Sequence, residues 1–283
     1  MTGDGDSPPA RGVHARSFRG DRGRGDDGRG YRRHEVPHTR VGSTSNRPVH
    51  REEQRQFRVP SSNASLRVGP PPDRPTYLTK AIGDPPSVYG ERIRWQDDAA
   101  WRMMDPLRSK LAAALCRGLV DLPLAQGMKV LYLGAATGTT ASHVADLVGF
   151  KGMVYAVEKS PRAFQKLLGM AERWPNVAPL LRDARTPQSY LGLVPMVDAI
   201  YADIPQVDQA SIVADNAALF LSEGGTLLFA LKLSSLAREK TSQEHLDDVI
   251  GALESHFHVD EVLPLEPFYR KHSFIRARYL GPG

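Results

Sequence analysis

Residues 130–148 constrain the fold more than any other stretch. Val130-Leu131-Tyr132-Leu133 is a short apolar run, and Gly134-Ala135-Ala136-Thr137-Gly138 is a small-residue turn. A helical pattern succeeds it, Thr140-Ala141-Ser142-His143-Val144-Ala145-Asp146-Leu147-Val148. A strand that enters a tight loop and leaves it as a helix is a common way to build a nucleotide-binding edge. Small residues let backbone N–H groups approach a ligand, and the helix N-terminus supplies partial positive charge. The Gly-x-x-x-Gly spacing is neither the dinucleotide fingerprint nor a phosphate loop, because no Lys-Ser or Lys-Thr comes after the second glycine. A plain structural turn also fits the pattern, so its meaning rests on the rest of the chain.

Strands and helices alternate along that remainder. The patterns predict strands at Lys129–Gly134, Met153–Val157, Val177–Leu181, Met196–Ala202, Thr226–Leu231, His258–Leu265 and Ser273–Leu280. Helices are predicted at Leu107–Leu119, Thr140–Val148, from Ser160 as N-cap with Pro161 to Trp174, at Val207–Leu221 and at Thr241–His256. Strands separated by helical crossovers imply a largely parallel sheet with helices on both faces. The last two strands, joined without a helix, predict one antiparallel edge strand. Short strands at Thr76–Thr79 and Arg92–Trp95 form a small β module that must lean on its neighbour.

The N-terminal arm is of another kind. From Thr2 to Ser65 there is no Leu, Ile, Met, Trp or Cys, too little apolar surface to offset ordering entropy. Residues 1–67 hold fourteen Arg and no Lys against eight acids, including five Arg-Gly pairs, whereas the remainder is close to neutral within a chain total of +5. Flexible guanidinium groups beside bare glycine backbone suit sequence-tolerant contact with nucleic acid, although Asp21, Asp26 and Asp27 dilute them. Pro70-Pro71-Pro72 reads as a stiff spacer. Three regions are therefore expected: an arm over 1–67, a β module over 68–105 and an α/β domain over 106–283. A single cysteine, Cys116, excludes an intrachain disulfide and a cysteine-based zinc site, and no metal site is expected. No run approaches the roughly 18 apolar residues of a bilayer span, and no secretory signal is apparent, so the chain is read as soluble and intracellular.

In open α/β sheets ligands bind beyond the carboxyl ends of the strands. Those ends carry a polar set in this chain: the Gly134–Thr140 loop, Glu158, Asp183-Ala184, Asp203-Ile204-Pro205-Gln206 and Lys232. An acid about twenty residues beyond the glycine loop can accept hydrogen bonds from ribose hydroxyls. Lysines held near an aspartate suit a hydroxyl attacking an electrophile, because the hydroxyl is a poor nucleophile until its proton is easier to lose.

Residues 74–283 closely resemble fibrillarin, the S-adenosylmethionine-dependent RNA 2′-O-methyltransferase family of box C/D ribonucleoproteins. The resemblance is carried by Ser87-Val88-Tyr89-Gly90-Glu91, Arg108-Ser109-Lys110-Leu111-Ala112-Ala113-Ala114, Lys129–Thr140 and Val154-Tyr155-Ala156-Val157-Glu158. It continues through Asp183-Ala184-Arg185, Ala202-Asp203-Ile204-Pro205-Gln206-Val207-Asp208-Gln209 and Leu265-Glu266-Pro267. It implies a Rossmann-like seven-stranded methyltransferase sheet with helices on both faces, preceded by the small β module and the disordered Arg/Gly-containing arm. It implies S-adenosyl-L-methionine as cofactor, with Gly134, Ala135, Thr139 and Thr140 at the loop and Glu158 on the ribose. Lys159, Asp183 and Ala184 fall near the adenine, and Asp203 and Gln206 near the methionine end. The family's Lys-Asp-Lys-His catalytic set falls on Lys110, Asp203, Lys232 and His272. The implied partners are box C/D guide RNA, rRNA, a Nop-type scaffold protein and a kink-turn-binding protein, with no membrane. The implied address is the nucleolus of the nucleus.

This chain departs from the family at Lys159, where an aromatic residue is usual, at Leu233-Ser234-Ser235-Leu236 after Lys232, and at Gly83-Asp84-Pro85-Pro86 in the β module. Two alternatives stand beside the RNA reading. One is a non-catalytic RNA-binding assembly factor, which has no need of Lys232 or Asp203. The other is methylation of glutamine in a protein such as a histone, which these residues do not separate from RNA methylation.

Overall fold

The computed structural model describes residues 62–69, 75–233 and 241–282. The arm up to residue 61, the proline run and residues 234–236 lie outside them. A four-stranded antiparallel sheet comes first, built from β1 (Leu66–Gly69), β2 (Thr76–Lys80), β3 (Ile93–Gln96) and β4 (Ala99–Met103), in the order β1-β2-β4-β3. Asp97 and Asp98, with φ of 51° and 55°, turn β3 into β4, the positive-φ pair of a two-residue hairpin. The packed part of the chain starts earlier than the expected boundary at 68. Asn63 and Leu66 are buried, and Asn63 Nδ2 donates to the carbonyls of Leu124 and Leu147, both at 2.8 Å.

The second sheet has seven strands, β5 (Lys129–Leu133), β6 (Met153–Glu158), β7 (Val177–Leu181), β8 (Val197–Ala202), β9 (Leu221–Lys232), β10 (Phe257–Pro264) and β11 (His272–Tyr279). Their order is β10-β11-β9-β8-β5-β6-β7. This is the seven-stranded sheet that the resemblance implies. The five strands β5 to β9 are parallel, whereas β11 runs antiparallel to both β9 and β10. The antiparallel strand is thus not at the edge, as the sequence pattern suggests, but second from it. The hairpin places β11 inside, where Phe274, Ile275 and Ala277 are buried, and leaves β10 outermost.

Side chains alternate between two cores. Val130 and Tyr132 face one core with helices α1 (Lys110–Cys116), α2 (Thr139–Val148) and α3 (Pro161–Ala171). Leu131 and Leu133 face the other with α4 (Gln209–Phe220) and α5 (Ser242–Glu254). Helix α1 is shorter than the pattern predicts: Ser109 caps it by accepting from Ala112 N, and Gly118, at φ 93°, lies just past its end. The Gly224-Gly225 turn lies within β9, and the ladder to β8 shifts register across it, from Val197↔Leu221 to Ala199↔Thr226.

The two sheets are joined through a buried polar cluster. Arg102 of β4 is fully buried, and its guanidinium reaches Glu91 at 2.6 Å, Asp146 of α2 at 2.7 Å and Ser142 Oγ at 2.9 Å. Asp146 also accepts from Thr79 Oγ1, from Trp174 Nε1 (both 2.8 Å) and from Ile82 N (3.1 Å). The Thr79 hydroxyl proton goes to Asp146, so His143 Nδ1–H donates to Thr79 Oγ1 at 2.7 Å. Its Nε2 then accepts from the Tyr89 hydroxyl at 2.8 Å. Burial, and then the Arg102 charge, hold His143 well below the ordinary histidine range, so it is neutral in this network. For Glu91, burial alone would raise the pKa, but Arg102 and the N–H groups of Tyr89 and Val88 outweigh it and hold the carboxyl below its ordinary value.

Removing one member of a buried ion pair leaves the other uncompensated. Arg102→Ala is therefore expected to destabilise the protein by about 3–5 kcal/mol, read as a lower urea midpoint. A midpoint unchanged from wild type would contradict this account of the cluster.

Candidate active site

The parallel strands deliver the candidate residues to one edge. Gly134, with φ 81°, comes directly after β5, and a Cβ there would run into the carbonyl oxygen of Asp203, so the closeness of the two strand ends requires glycine. Asp203 comes directly after β8 and extends the ladder by donating its N–H to Leu133 O at 2.9 Å. Glu158 ends β6, and its two oxygens accept from Ala136 N at 2.8 Å and Ser160 N at 2.7 Å. The two bonds fix the carboxylate while leaving each oxygen a free lone pair.

Lys110 meets Asp203 from the first turn of α1. Its Nζ lies 2.7 Å from each carboxylate oxygen, and both side chains are partly exposed. The other two members of the expected set arrive together, because His272 of β11 stands opposite Lys232 of β9 in the antiparallel ladder. The Lys232 backbone is held on both sides by Gln209, which accepts from Lys232 N and donates to Lys232 O, each at 3.2 Å. His272 Nδ1 bonds the Arg270 carbonyl at 2.8 Å, so Nδ1 carries the proton and Nε2 is left as an acceptor. Burial, with Lys110 and Lys232 adding to it, lowers the His272 pKa below its ordinary value despite opposing contributions from the Arg270 carbonyl and Asp203.

A cleft of about 440 Å³ opens between these elements, lined by Lys110, Gly134, Ala136, Glu158, Lys159, Ala184, Asp203 and Gln206 among others. Lys159 stands on its wall, where the family usually has an aromatic, and its charge also favours the ionised form of Asp183. Ala135 is buried beside the cleft and donates its N–H to Val157 O at 3.0 Å. Asp183 is turned toward Arg185, with contacts of 3.0–3.2 Å and 2.6 Å, and that hydrogen bonding, chiefly, lowers its pKa. The two threonines are placed differently from the rest. Thr140 Oγ1 donates to Ser109 Oγ at 3.1 Å, and Thr139 lines a separate pocket.

Two further residues shape the site without standing out in the sequence. Tyr269 presents its ring 5.3 Å from Lys110 Nζ and 5.7 Å from the His272 ring. Gln209, buried at the start of α4, holds the end of β9. The signal for Tyr269 is an aromatic pair, Phe268-Tyr269, just ahead of a candidate histidine; for Gln209 it is the end of the Ala202–Gln209 stretch.

The acceptor set fits a nucleoside-bearing ligand. Glu158 offers oriented acceptors to ribose hydroxyls, and the buried Gln206 Oε1 has no hydrogen-bond partner among the described residues, so it awaits a donor. Fold and cleft together define the class, a Rossmann-like methyltransferase. The fibrillarin family model matches residues 72–281. The fibrillarin-like rRNA/tRNA 2′-O-methyltransferase of Methanopyrus kandleri is 46% identical over 195 residues, which cover 69% of this chain and 84% of that protein. Aeropyrum pernix fibrillarin, solved with natively bound S-adenosyl-L-methionine, superposes with a TM-score of 0.70 at 40% identity, over 75% of this chain and 94% of that one. A fibrillarin in complex with Nop5p gives 0.68 at 39% identity, over 78% and 99%. The chain belongs to the fibrillarin family.

Two measurements probe this geometry. Gly134→Ala is expected to cost about 1–2 kcal/mol from its positive φ alone, and more as Asp203 is displaced, seen as a lower urea midpoint. In NMR titration the His272 ring is expected to change charge below pH 6.5. Because an ammonium disfavours imidazolium, Lys232→Met should move that midpoint upward; no upward movement would contradict the field assigned to Lys232.

Proposed function

We propose that this chain transfers the methyl group of S-adenosylmethionine to the 2′-hydroxyl of ribose in rRNA. The observation that carries the reading is the Lys110–Asp203 pair at a cleft that also holds the anchored Glu158 and the unpartnered Gln206 oxygen. The cofactor-holding residues are the loop from Gly134 and Ala135 to Thr139 and Thr140, with Glu158, Lys159, Asp183, Ala184, Asp203 and Gln206. When bound, the cofactor supplies an electrophilic methyl group on a sulfonium.

The chain's own residues then act on the acceptor. Lys110 fixes the Asp203 carboxylate through both oxygens, so that Asp203 faces the incoming hydroxyl in one orientation. Lys232, exposed at the end of β9, supplies a positive field that makes the hydroxyl proton easier to lose. His272 is uncharged near neutral pH, so its Nε2 can accept a hydrogen bond or the proton itself. Because the donor is already a strong electrophile, alignment supplies much of the acceleration.

The expected module 68–105, which the packing extends back to Asn63, serves in this reading beside the catalytic domain 106–283, and the part of the expected arm 1–67 ahead of Asn63 is an RNA-contacting tail. The substrate is selected by a box C/D guide RNA, in a particle with a Nop-type scaffold and a kink-turn-binding protein; the Nop5p complex of a relative supports the scaffold. An enzyme acting on nascent rRNA in a nucleated cell belongs in the nucleolus.

Single-turnover methyl transfer to a guided RNA tests the assignment. Asp203→Ala and Lys232→Ala are each expected to slow it about 100-fold or more, while Lys232→Ala still binds S-adenosylmethionine in calorimetry. Near-normal rates with either variant would overturn these catalytic roles.

A further inference from the structure

We infer that the polar pocket behind the glycine loop binds a phosphodiester of the RNA strand whose ribose enters the cleft, an inference that rests on the RNA reading above. The pocket, of about 320 Å³, is lined by Arg108, Lys166 and Arg173 together with Tyr89, Thr137 and Thr139. The three cations come from separate segments: the turn before α1, the middle of α3 and the turn after α3. None of them is in an ion pair among the described residues.

Their surroundings orient the two arginines without neutralising them. Arg108 lies 4.7 Å from the Tyr89 ring centroid and donates to the Tyr89 carbonyl at 2.8 Å. Arg173 donates to the carbonyls of Ser87 at 2.6 Å and Pro85 at 3.3 Å. Neutral carbonyls hold each guanidinium in place and leave its charge and remaining N–H groups for an anion. Of the nearby acids, Glu91 pairs with Arg102, and Asp105, which accepts from Leu107 N at 2.9 Å, makes no ion pair with Arg108 among the described residues. Glu172, adjacent to Arg173 in sequence, makes no ion pair with it.

Two held guanidinium groups, with Lys166 and two threonines lining the same pocket, suit the two non-bridging oxygens of a phosphodiester. The location fits as well. Arg108 is two residues ahead of Lys110, and its charge acts on Tyr269, whose ring covers Lys110. In this proposal a strand with its ribose at Lys110 and Asp203 runs its flanking backbone along this surface. Such a contact positions the strand without reading its sequence.

The test uses the full chain, a short single-stranded RNA oligonucleotide and a NaCl series. Lys166 is the probe, because its exposed side chain supports nothing else described. Lys166→Ala is expected to weaken RNA binding several-fold at low salt and to flatten the slope of log affinity against log salt by about 0.7. Lys166→Glu should weaken it further, and Arg108→Ala should act like Lys166→Ala. Affinity for S-adenosylmethionine is expected to be unchanged in all three. If wild type methylates RNA but both Lys166 variants keep its RNA affinity and salt slope, the pocket assignment falls and the enzymatic reading stands. If the Lys166 variants weaken S-adenosylmethionine binding alone, the pocket serves the donor's carboxylate and the proposal is overturned. If wild type binds no RNA and transfers no methyl group, both readings fail together.

Discussion

The arrangement depends on a guanidinium that has no contact with water. Arg102 comes from the small sheet, and its partners Asp146 and Ser142 come from α2, the helix that opens at the glycine loop. A buried ion pair is weak evidence of net stability, because desolvation offsets much of the attraction. Its effect is on geometry: only one placement of the two sheets satisfies Arg102, Glu91, Asp146, Thr79 and His143 at once. The cluster also reaches the site. Ser142 accepts from Arg102 and donates to the Thr139 carbonyl at 2.9 Å, so the buried charge holds the first turn of α2.

A second constraint sits where β5 and β8 end. Gly134 and Asp203 touch through the backbone, which puts the aspartate within reach of α1 on one side and of β9 and β11 on the other. Since Lys110 and Asp203 are partly exposed, their ion pair contributes little to stability. Its effect is to hold the carboxylate in a single orientation beside a cleft whose other polar groups are already anchored.

Much of this is legible in the chain. The parallel strands are continuous apolar runs, and their polar ends announce the binding edge before any coordinates exist. The parts that are not legible have physical reasons. Strand β4, Ala-Ala-Trp-Arg-Met, has two residues of low β propensity and an arginine that any pattern assigns to solvent. His143 and Asp146 lie on a helix that is buried all round, so their roles exist only through partners distant in sequence, from Trp174, 28 residues on, to Thr79, more than sixty residues back. His272 has no local signature, and only the family resemblance singles it out. The position of β11 depends on how a hairpin docks, which strand patterns do not encode. Thr140 bonds to the cap of α1 while Thr139 lines a second pocket, because a helix N-terminus presents successive side chains in different directions.

The inversion of β11 has a temporal side. Parallel strands contribute their last residues to the binding edge, but an antiparallel strand contributes its first, and His272 is the first residue of β11. The cleft itself is lined by residues between Lys110 and Gln206, all of them upstream of the strand that brings His272. During synthesis the donor side of the pocket therefore emerges from the ribosome first. The acceptor side is complete only after the hairpin has emerged and β11 has inserted between β9 and β10.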